Sequence, residues 1–355
     1  MRRKMKKSSK KIKFKIISVF VAFFFALSMT SGCGSKKSDE VKTMRIGVVK
    51  YSQNDVFINA VSDCIKKNID QKKTDKMNTI MTVRSGDNDQ AQQNEEVEEM
   101  IDAGCDILCI DLVDRTAPTK IIDMAKKNNI PVIFFNREPV KEDLMRWEKL
   151  YYVGADAEES GVMQGELAAD AIKKNSKVDR NKDGKIQYVV LEGQTGHQDT
   201  IIRTDKAVST ISQSGIVMDK VSYEIADWNR AQAENHISQL IEKNNSSIEL
   251  ILANNDEMAL GAIDAYEKAN VTESSRPLIF GIDGLDDGLN AVKNGEMSGT
   301  VYNDKEGQAK AIADLAVALF NRQNLSQFKF TNDKYLILPY KKIDKKNVDQ
   351  FISDD

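Results

Sequence analysis

Oxygen-bearing side chains recur at alternate positions in one short stretch, DRNKDGKIQ, at residues 179–187. Asp179, Asn181 and Asp183 precede a glycine, the order found in the first half of a calcium-binding loop, where glycine allows the sharp turn. A helical calcium loop would place a glutamate at its twelfth position, but Val190 stands there. The stretch therefore predicts a calcium site whose last carboxylate comes from elsewhere in the chain.

The strand predicted after this loop leads into a turn that carries a second set of polar residues, His197, Asp199 and Arg203. Comparable groups follow other apolar runs of the chain. In parallel sheets, ligands bind outside the carboxyl ends of the strands, so these positions are candidate contacts. The strand-end residues are Asp55, Asn136, Asn255, Asp283 and Asn303.

This set of side chains suits a neutral ligand that carries many hydroxyl groups. Carboxylates accept hydrogen bonds from hydroxyls, asparagine amides donate and accept, and arginine donates to a ring or hydroxyl oxygen. Phe57 and Trp228 are candidates to cover the apolar faces of a sugar ring. We interpret the site as a sugar-binding site.

Other interpretations stay open from these residues alone. Asp55 and Asp283 could be the acid and nucleophile of a glycosidase, although no second feature supports turnover. The loop at residues 179–187 could be a turn that binds no ion. His197 could be an ordinary loop residue, and Trp228 could belong to the core.

The elements that would position these residues alternate between short apolar runs and longer amphipathic stretches. The runs predict strands at residues 45–50, 79–84, 107–112, 131–135, 151–153, 186–191, 222–225, 250–253, 278–282 and 299–302. The stretches predict helices that include residues 92–103, 116–128, 158–174, 231–243 and 307–320. Several strands are apolar throughout, as expected when helices cover both faces of a parallel sheet. The predicted fold is α/β, in two doubly wound units.

The N-terminus has the composition of an export signal. Nine lysine and arginine residues and no acidic residue precede an apolar run at residues 16–29, which is shorter than the ~20 residues that span a bilayer. Cys33 follows in a pattern that resembles the lipidation site of bacterial lipoproteins, with Thr30 where leucine is usual. We predict a lipoprotein signal peptide at residues 1–32, lipidation at Cys33 and a flexible tether at residues 33–43. A plain signal peptide is the alternative.

Composition limits what the rest of the chain can do. At 355 residues the chain is long enough for two domains. Removing the nine positive charges of the signal lowers the formal net charge from −3 to −12, and such an acidic protein is a poor partner for nucleic acid. The cysteines after Cys33 include no CxxC pair, so we expect buried free thiols and no disulfide framework.

Six longer motifs carry a resemblance to a known family. They are YYVGADAEESGVMQGEL, DRNKDGKIQ, GHQDTIIR, ADWNRAQA, ILANNDEMALGA and GTVYND. Over nearly all of residues 45–340 the chain resembles the galactose/glucose-binding proteins, which are substrate-binding proteins of bacterial sugar ABC transporters. The resemblance places Tyr51 at the rim of the site and implies sugar contacts at Asp55, Phe57, Asn136, His197, Asp199, Arg203, Trp228, Asn255, Asp283 and Asn303.

The same resemblance completes the calcium site. It implies ligands at Asp179, Asn181, Asp183, the backbone carbonyl of Lys185, Gln187 and the distant Glu249. Glu249 would supply the carboxylate that the loop itself lacks. Lys185 stands where the family has glutamine, and its ammonium group lowers the local negative charge.

The resemblance also implies a fold, a location and partners. The fold would be that of type I periplasmic binding proteins, with two doubly wound parallel-sheet lobes joined by a three-stranded hinge. Residues 44–154 and 304–337 would form the N-terminal lobe, and residues 155–303 and 338–355 the C-terminal lobe. The protein would be a monomer and not an enzyme, anchored by lipid outside the cytoplasm, that delivers D-galactose or D-glucose to an ABC transporter permease. A sugar-sensing ectodomain that signals through a membrane receptor or histidine kinase is the alternative.

Overall fold

The computed structural model describes residues 41–244 and 248–352, in which strands and helices alternate. The strands are β1 (Lys42–Lys50), β2 (Met77–Ser85), β3 (Ile107–Ile110), β4 (Val132–Phe135), β5 (Leu150–Ala155), β6 (Ile186–Glu192), β7 (Met218–Ile225), β8 (Leu250–Ala253), β9 (Leu278–Phe280), β10 (Thr300–Tyr302), β11 (Tyr335–Leu338) and β12 (Lys341–Ile343). The helices are α1 (Val56–Asp70), α2 (Gln90–Asp102), α3 (Thr119–Lys127), α4 (Lys141–Leu144), α5 (Ala157–Lys174), α6 (Gln198–Gln213), α7 (Arg230–Asn244), α8 (Asp256–Lys268), α9 (Asp286–Asn294) and α10 (Lys305–Phe320). Every predicted strand and helix overlaps one of these elements, whereas β11 and β12 lie outside all predicted strands.

Two parallel sheets repeat the same strand order. The first sheet has the order β11-β5-β4-β3-β1-β2 and the second has β7-β6-β8-β9. β10 runs parallel beside the end of β9, through bridges at Gly299 and Tyr302. In both sheets the second strand pairs on one side of the first, and the chain then crosses to the other side, which defines a doubly wound sheet. The predicted α/β fold with two doubly wound units is confirmed.

Apolar layers cover both faces of each sheet. Every residue of β3, β4 and β8 is buried. Helices α1 and α10 pack together on one face of the first sheet, and α2 and α3 pack on the other; α5 with α6 and α7 with α8 cover the second sheet. Helices on both faces explain why these strands lack the alternation of a half-exposed sheet.

The chain passes between the two sheets three times within the described residues. β5 leads from the first sheet towards β6 in the second, the chain returns from β10 to α10 and β11 on the first sheet, and β12 then pairs antiparallel with β10. The lobe boundaries given above stay predictions. β1 begins at Lys42, opposite Met77 of β2, which is two residues before the predicted start of the N-terminal lobe.

Some expectations concern parts of the chain outside the sheets. Cys33 and the predicted signal peptide lie outside the described residues. Within residues 41–244 and 248–352, no helix is both long enough and apolar enough to cross a membrane. The thiols of Cys64, Cys105 and Cys109 are all free; Cys105 and Cys109 are buried as expected, whereas Cys64 is half-buried.

Candidate functional site

One cavity is lined from the carboxyl ends of both sheets. All ten predicted sugar-binding residues contribute to its wall, together with Tyr51, Ile58 and Arg137. They reach it from the ends of β1, β4, β8, β9 and β10, from the loop after β7 and from the start of α6. The structure therefore brings together every residue of the predicted set.

The first sheet contributes an aspartate whose two oxygens already hold protein donors. Asp55 is the N-cap of α1, and its Oδ1 accepts from the backbone N–H of Ile58 at 2.9 Å. Its Oδ2 accepts from the hydroxyl of Tyr51 at 2.5 Å. Burial, followed by the Asp55 charge, raises the pKa of Tyr51, so this hydroxyl stays a donor. Asp55 is thus held rigidly while each oxygen keeps a lone pair for a ligand hydroxyl.

His197 begins α6 and is oriented by the backbone. Its Nδ1 accepts from the N–H of Asp199 at 3.0 Å. Because one ring nitrogen is an acceptor, the other must carry the proton in the neutral ring. Burial lowers the pKa of His197 to about 3, so the ring is neutral at physiological pH. His197 therefore presents a neutral N–H donor.

Arg203 is fixed one helical turn after Asp199. Its Nη2 lies 3.1 Å from Asp199 Oδ2 and 3.1 Å from the hydroxyl of Tyr340, and its Nη1 donates to the carbonyl of Asn254 at 2.9 Å. Only 4% of Arg203 is exposed. The pair provides an acceptor and a donor side by side, which suits adjacent hydroxyls.

Two local features position the Trp228 ring: left-handed backbone angles in its own loop and the absence of a side chain at Gly193. Asp227 and Trp228 both adopt left-handed φ angles, 50° and 65°, a strained conformation that clusters at functional sites. A Cβ on Gly193 would collide with the Trp228 ring, so this position needs glycine. The His197 ring meets Trp228 edge-on at 5.1 Å between centroids. Phe57 lines the same cavity and is almost fully buried.

Three further polar residues come from the strand ends of the second sheet. Asp283 has a φ of 127°, held by backbone hydrogen bonds to Val301 and Asn303. Burial raises the pKa of Asp283 well above its usual range, against the opposing effect of Arg203. The Oδ1 of Asn303 accepts from Gln308 at 2.6 Å, which leaves its amide N–H groups to donate. Asn255 caps α8 through the N–H of Met258.

Two buried aspartates near the cavity were not among the predicted site residues. Asp111 is fully buried and accepts from the amide of Asn136 and the backbone N–H of Arg137, both at 3.3 Å; burial raises its pKa to about 7. Asp256 accepts from Thr300 at 2.6 Å and from two backbone N–H groups in the turn after Asp283. An acidic residue inside an apolar run, ILCIDL, was the available signal for Asp111.

The predicted calcium ligands form a connected cluster away from the cavity. Asn181 donates to Asp183 and to Gln187, and Gln187 donates to Asp183, at 2.9–3.1 Å. Both oxygens of Asp179 accept from backbone N–H groups of the turn. Glu249 directly precedes β8 and accepts from the backbone N–H of Gln187 at 3.3 Å.

The donor set fits a hard cation better than a transition metal. It consists of carboxylate, amide and carbonyl oxygens, the ligands that calcium uses. Within the described ranges no group of three His, Cys, Asp or Glu residues is arranged to hold a metal ion.

Comparisons with known proteins place the chain among solute-binding proteins. The family described as "Periplasmic binding protein domain" matches residues 46–324. The D-galactose/methyl-galactoside binding periplasmic protein MglB of Haemophilus influenzae is 34% identical over 337 residues, which cover 92% of this chain and 96% of that protein. The ribose import binding protein of Bacillus subtilis is 27% identical and covers 84% of this chain and 89% of its own length.

Solved structures share the fold at lower identity. An ABC transporter periplasmic solute binding protein from Actinobacillus succinogenes, with bound D-allose, has a TM-score of 0.73 and 22% identity, and the match covers 86% of this chain and 99% of that one. A solute binding protein from Bacillus halodurans, with bound myo-inositol, has a TM-score of 0.72 and 23% identity, over 89% and 98% of the two chains. The predicted type I fold with two parallel-sheet lobes is confirmed. The relatives are transport proteins, which confirms the prediction of a protein that is not an enzyme. The family match spans most of the described residues, and the chain belongs to the periplasmic binding protein family.

Proposed function

We propose that the protein binds D-galactose, D-glucose or both outside the cytoplasm and delivers them to an ABC transporter permease. The observation that carries the proposal is the single cavity lined by all ten predicted sugar-binding residues. The relative at 34% identity is named for galactose and methyl-galactoside. Other relatives are named for ribose, so the choice of hexose rests on the full residue set.

The cavity has the chemistry of a binding site for a neutral sugar. The lining combines acceptors at Asp55, Asp199 and Asp283, donors at His197 and Arg203, and two aromatic side chains. These groups come from both sheets. Ligand hydroxyls would form hydrogen bonds with polar groups on both walls of the cavity at once. Binding would therefore favour a closed arrangement of the lobes, which is the form that the permease would recognise.

Calorimetric titration of the purified protein with D-glucose, D-galactose, D-ribose, D-allose and myo-inositol tests this proposal. We expect one or both of the first two sugars to bind at least about tenfold more tightly than the rest, because a misplaced hydroxyl leaves buried polar groups unpaired. Tightest binding of ribose, allose or inositol would overturn the assignment to galactose or glucose. A deletion strain that still imports the sugar would favour the sensing role instead.

We further propose that residues 179–187 and Glu249 bind a calcium ion. The proposal is supported by the convergence of Asp179, Asn181, Asp183 and Gln187 in one cluster, to which Glu249 adds a buried carboxylate. The ion would tie the loop before β6 to the strand end before β8 and would take no part in contacting the sugar.

We also propose that Cys33 carries the lipid that anchors the protein outside the cytoplasm. The support is the signal-like sequence at residues 1–32 and the polar stretch after Cys33. A Cys33→Ala variant would then leave the membrane fraction for the soluble fraction of the cell envelope or the medium. Retention of the variant in washed membranes after removal of residues 1–32 would exclude lipidation at this cysteine as the anchor.

A further inference from the structure

Asp256 is a fully buried aspartate that lies outside the set of proposed sugar contacts. It follows Asn255 as the first residue of α8, its exposed fraction is 0%, and it is not part of the cavity wall. A buried carboxyl is costly unless hydrogen bonds compensate for the water that it loses. The groups that Asp256 binds therefore indicate its role.

Asp256 holds the chain on both sides of Asp283. Its backbone N–H donates to the carbonyl of Ile282 at 2.7 Å. Its Oδ2 accepts from the backbone N–H groups of Gly284 at 2.7 Å and Leu285 at 3.2 Å. The residue before Asp283 and the two residues after it are thus all bonded to one aspartate.

The second carboxyl oxygen of Asp256 joins this turn to the neighbouring strand. Oδ1 accepts from the hydroxyl of Thr300, the first residue of β10, at 2.6 Å. The backbone N–H of Asp283 donates to Val301 at 2.8 Å, and its carbonyl accepts from Asn303 at 2.9 Å. Asp256 therefore connects the two segments that carry the cavity residues Asp283 and Asn303.

Two glycines leave the space that the Asp256 carboxyl occupies. A Cβ on Gly281 would lie 2.1 Å from Oδ1, and a Cβ on Gly288 would lie 2.2 Å from Oδ2. For both glycines the three nearest atoms all belong to Asp256, and neither glycine has a positive φ. The carboxyl itself, and not the backbone conformation, therefore excludes a larger side chain at these two positions.

Asp283 needs such support because its backbone is strained. Its φ of 127° lies in the region that favours glycine. A conformation of this kind persists only where the surrounding contacts impose it, and it is typical of residues that hold a ligand. The contacts that fix the peptide groups around Asp283 come from β10 and from Asp256.

We propose that Asp256 is a positioning residue for sugar binding, which acts through Asp283 by holding its strained backbone so that its carboxyl lines the cavity. This inference rests on the proposed sugar-binding function. Asp256 does not contact the sugar in this arrangement. It sets the place and the direction of the acceptor that does.

The charge of Asp256 would have the opposite effect on the ligand. Burial raises the pKa of Asp283 well above its usual range, and the charge of Asp256 adds to this rise. Removal of that charge would make Asp283 easier to ionise and a stronger acceptor. A loss of affinity on removal of the Asp256 side chain would therefore come from the position of Asp283 and not from electrostatics.

Calorimetric titration of Asp256 variants with D-galactose and D-glucose tests the inference. Asp256→Ala removes both acceptors, and we expect it to weaken binding of the preferred hexose by about 10-fold or more. Asp256→Asn should stay within about 3-fold of the unaltered chain. Its amide oxygen accepts from the two backbone N–H groups, and its NH₂ group donates to the hydroxyl of Thr300.

A double-mutant cycle tests whether Asp256 acts through Asp283. In the Asp283→Ala background, Asp256→Ala should weaken binding by less than about 3-fold, because the group that it positions is already absent. Ile122→Ala is the control for a general loss of stability, since Ile122 is fully buried in α3 and is not part of the cavity wall. This control should lower the Tm and leave the affinity of the folded protein unchanged.

The outcomes separate the positioning role from the proposed function itself. Hexose binding by the unaltered chain, with an equal loss from Asp256→Ala in both backgrounds, would overturn the positioning role alone. A lower Tm without loss of affinity in Asp256→Ala, or equal losses in Asp256→Ala and Asp256→Asn, would do the same. Absence of hexose binding by the unaltered chain would overturn the proposed function and the inference with it.

A second variant keeps the test available if Asp256→Ala does not fold. Gly288→Ala leaves the aspartate in place, but its Cβ displaces Oδ2 from the two N–H groups of the turn. We expect it to weaken hexose binding in the unaltered background and to have less than about a 3-fold effect in the Asp283→Ala background. An equal effect in both backgrounds would again overturn the positioning role.

Discussion

Carboxyl groups occupy two opposite environments in this protein, the cavity at the strand ends and the exposed loop at residues 179–187. In and beneath the cavity, burial raises the pKa of Asp283 well above its usual range and that of Asp111 to about 7. In the loop, a hydrogen bond from the backbone N–H of Lys185 lowers the pKa of the exposed Asp183. The buried carboxyls are costly to ionise without donors, whereas hydrogen-bond donors around the exposed Asp183 favour its ionised form. The first environment suits a neutral ligand rich in hydroxyls and the second suits a cation.

The largest expected effect is the loss of ligand affinity on removal of Asp283. Asp283→Ala removes a buried acceptor beside Arg203, and we expect sugar affinity to fall by up to about 100-fold, because a buried polar group left without its partner costs ~1–3 kcal/mol. Calorimetric titration measures the change. The exposed Asp286, in the first turn of α9, provides the control, and Asp286→Ala should change affinity by less than about twofold. Equal affinities in the two variants would refute the role of Asp283.

Calcium removal should have the opposite pattern, a loss of stability with little change in affinity. At an ion concentration of about 100 times Kd, binding stabilises the folded state by ~2.7 kcal/mol, so a chelator should lower the Tm by about 5 °C. Glu249→Gln removes a buried ligand charge and should make the Tm much less sensitive to chelator. Re-addition of calcium should restore the Tm of the unaltered protein only. An unchanged Tm on chelation would show that the loop holds no ion, and a parallel loss of sugar affinity would show that the two regions are not separate.

The residues that line the cavity could be predicted from the sequence more readily than the tertiary contacts that position them. Polar residues directly after apolar runs, such as Asn136 and Asn303, follow from the general rule that ligands bind at the carboxyl ends of parallel strands. The stacking of the Arg137 guanidinium on the Tyr51 ring, with 3.5 Å from Cζ to the ring centroid, depends on tertiary packing that no local sequence pattern contains. Likewise, β12 is a short strand with two exposed lysines, and only its pairing with β10 defines it.

The loop shows a different limit. The spacing of Asp179, Asn181 and Asp183 indicates an oxygen-rich turn, but this spacing does not point to Glu249, which only the family resemblance supplied. That contact arises because Gln187 on β6 lies beside the start of β8, so the backbone N–H of Gln187 reaches the Glu249 carboxylate. Long-range pairing, which is set by the whole sheet, completes the cluster.

The smallest expected effect is a change in the pH dependence of folding stability, caused by the ionisation of one buried carboxyl, Asp111. Asp111 accepts from Asn136 and Arg137 through Oδ1, while its Oδ2 is buried without a partner in the described structure. Burial raises its pKa from 3.8 to about 7, with Arg137 opposing the shift and Asp55 adding to it. A carboxyl with a raised pKa in the folded state binds its proton more tightly there, so the stability it contributes is present below pH ~4 and is lost as the pH rises through about 7.

Asp111→Asn keeps the Oδ1 acceptor and removes the ionisable carboxyl. Ionisation at position 111 therefore cannot lower the stability of the variant as the pH rises. We therefore expect the Tm of the variant, relative to the unaltered protein, to be about 2–4 °C higher at pH 8 than at pH 5. Thermal unfolding across pH 5–8 measures the difference. The exposed Asp114 is the matched control, and Asp114→Asn should shift the Tm by the same amount at every pH. If the Tm of Asp111→Asn also differed from that of the unaltered protein by the same amount at every pH, then Asp111 would ionise at no cost in stability. Burial would then not explain the difference between the carboxyls of the cavity and those of the loop.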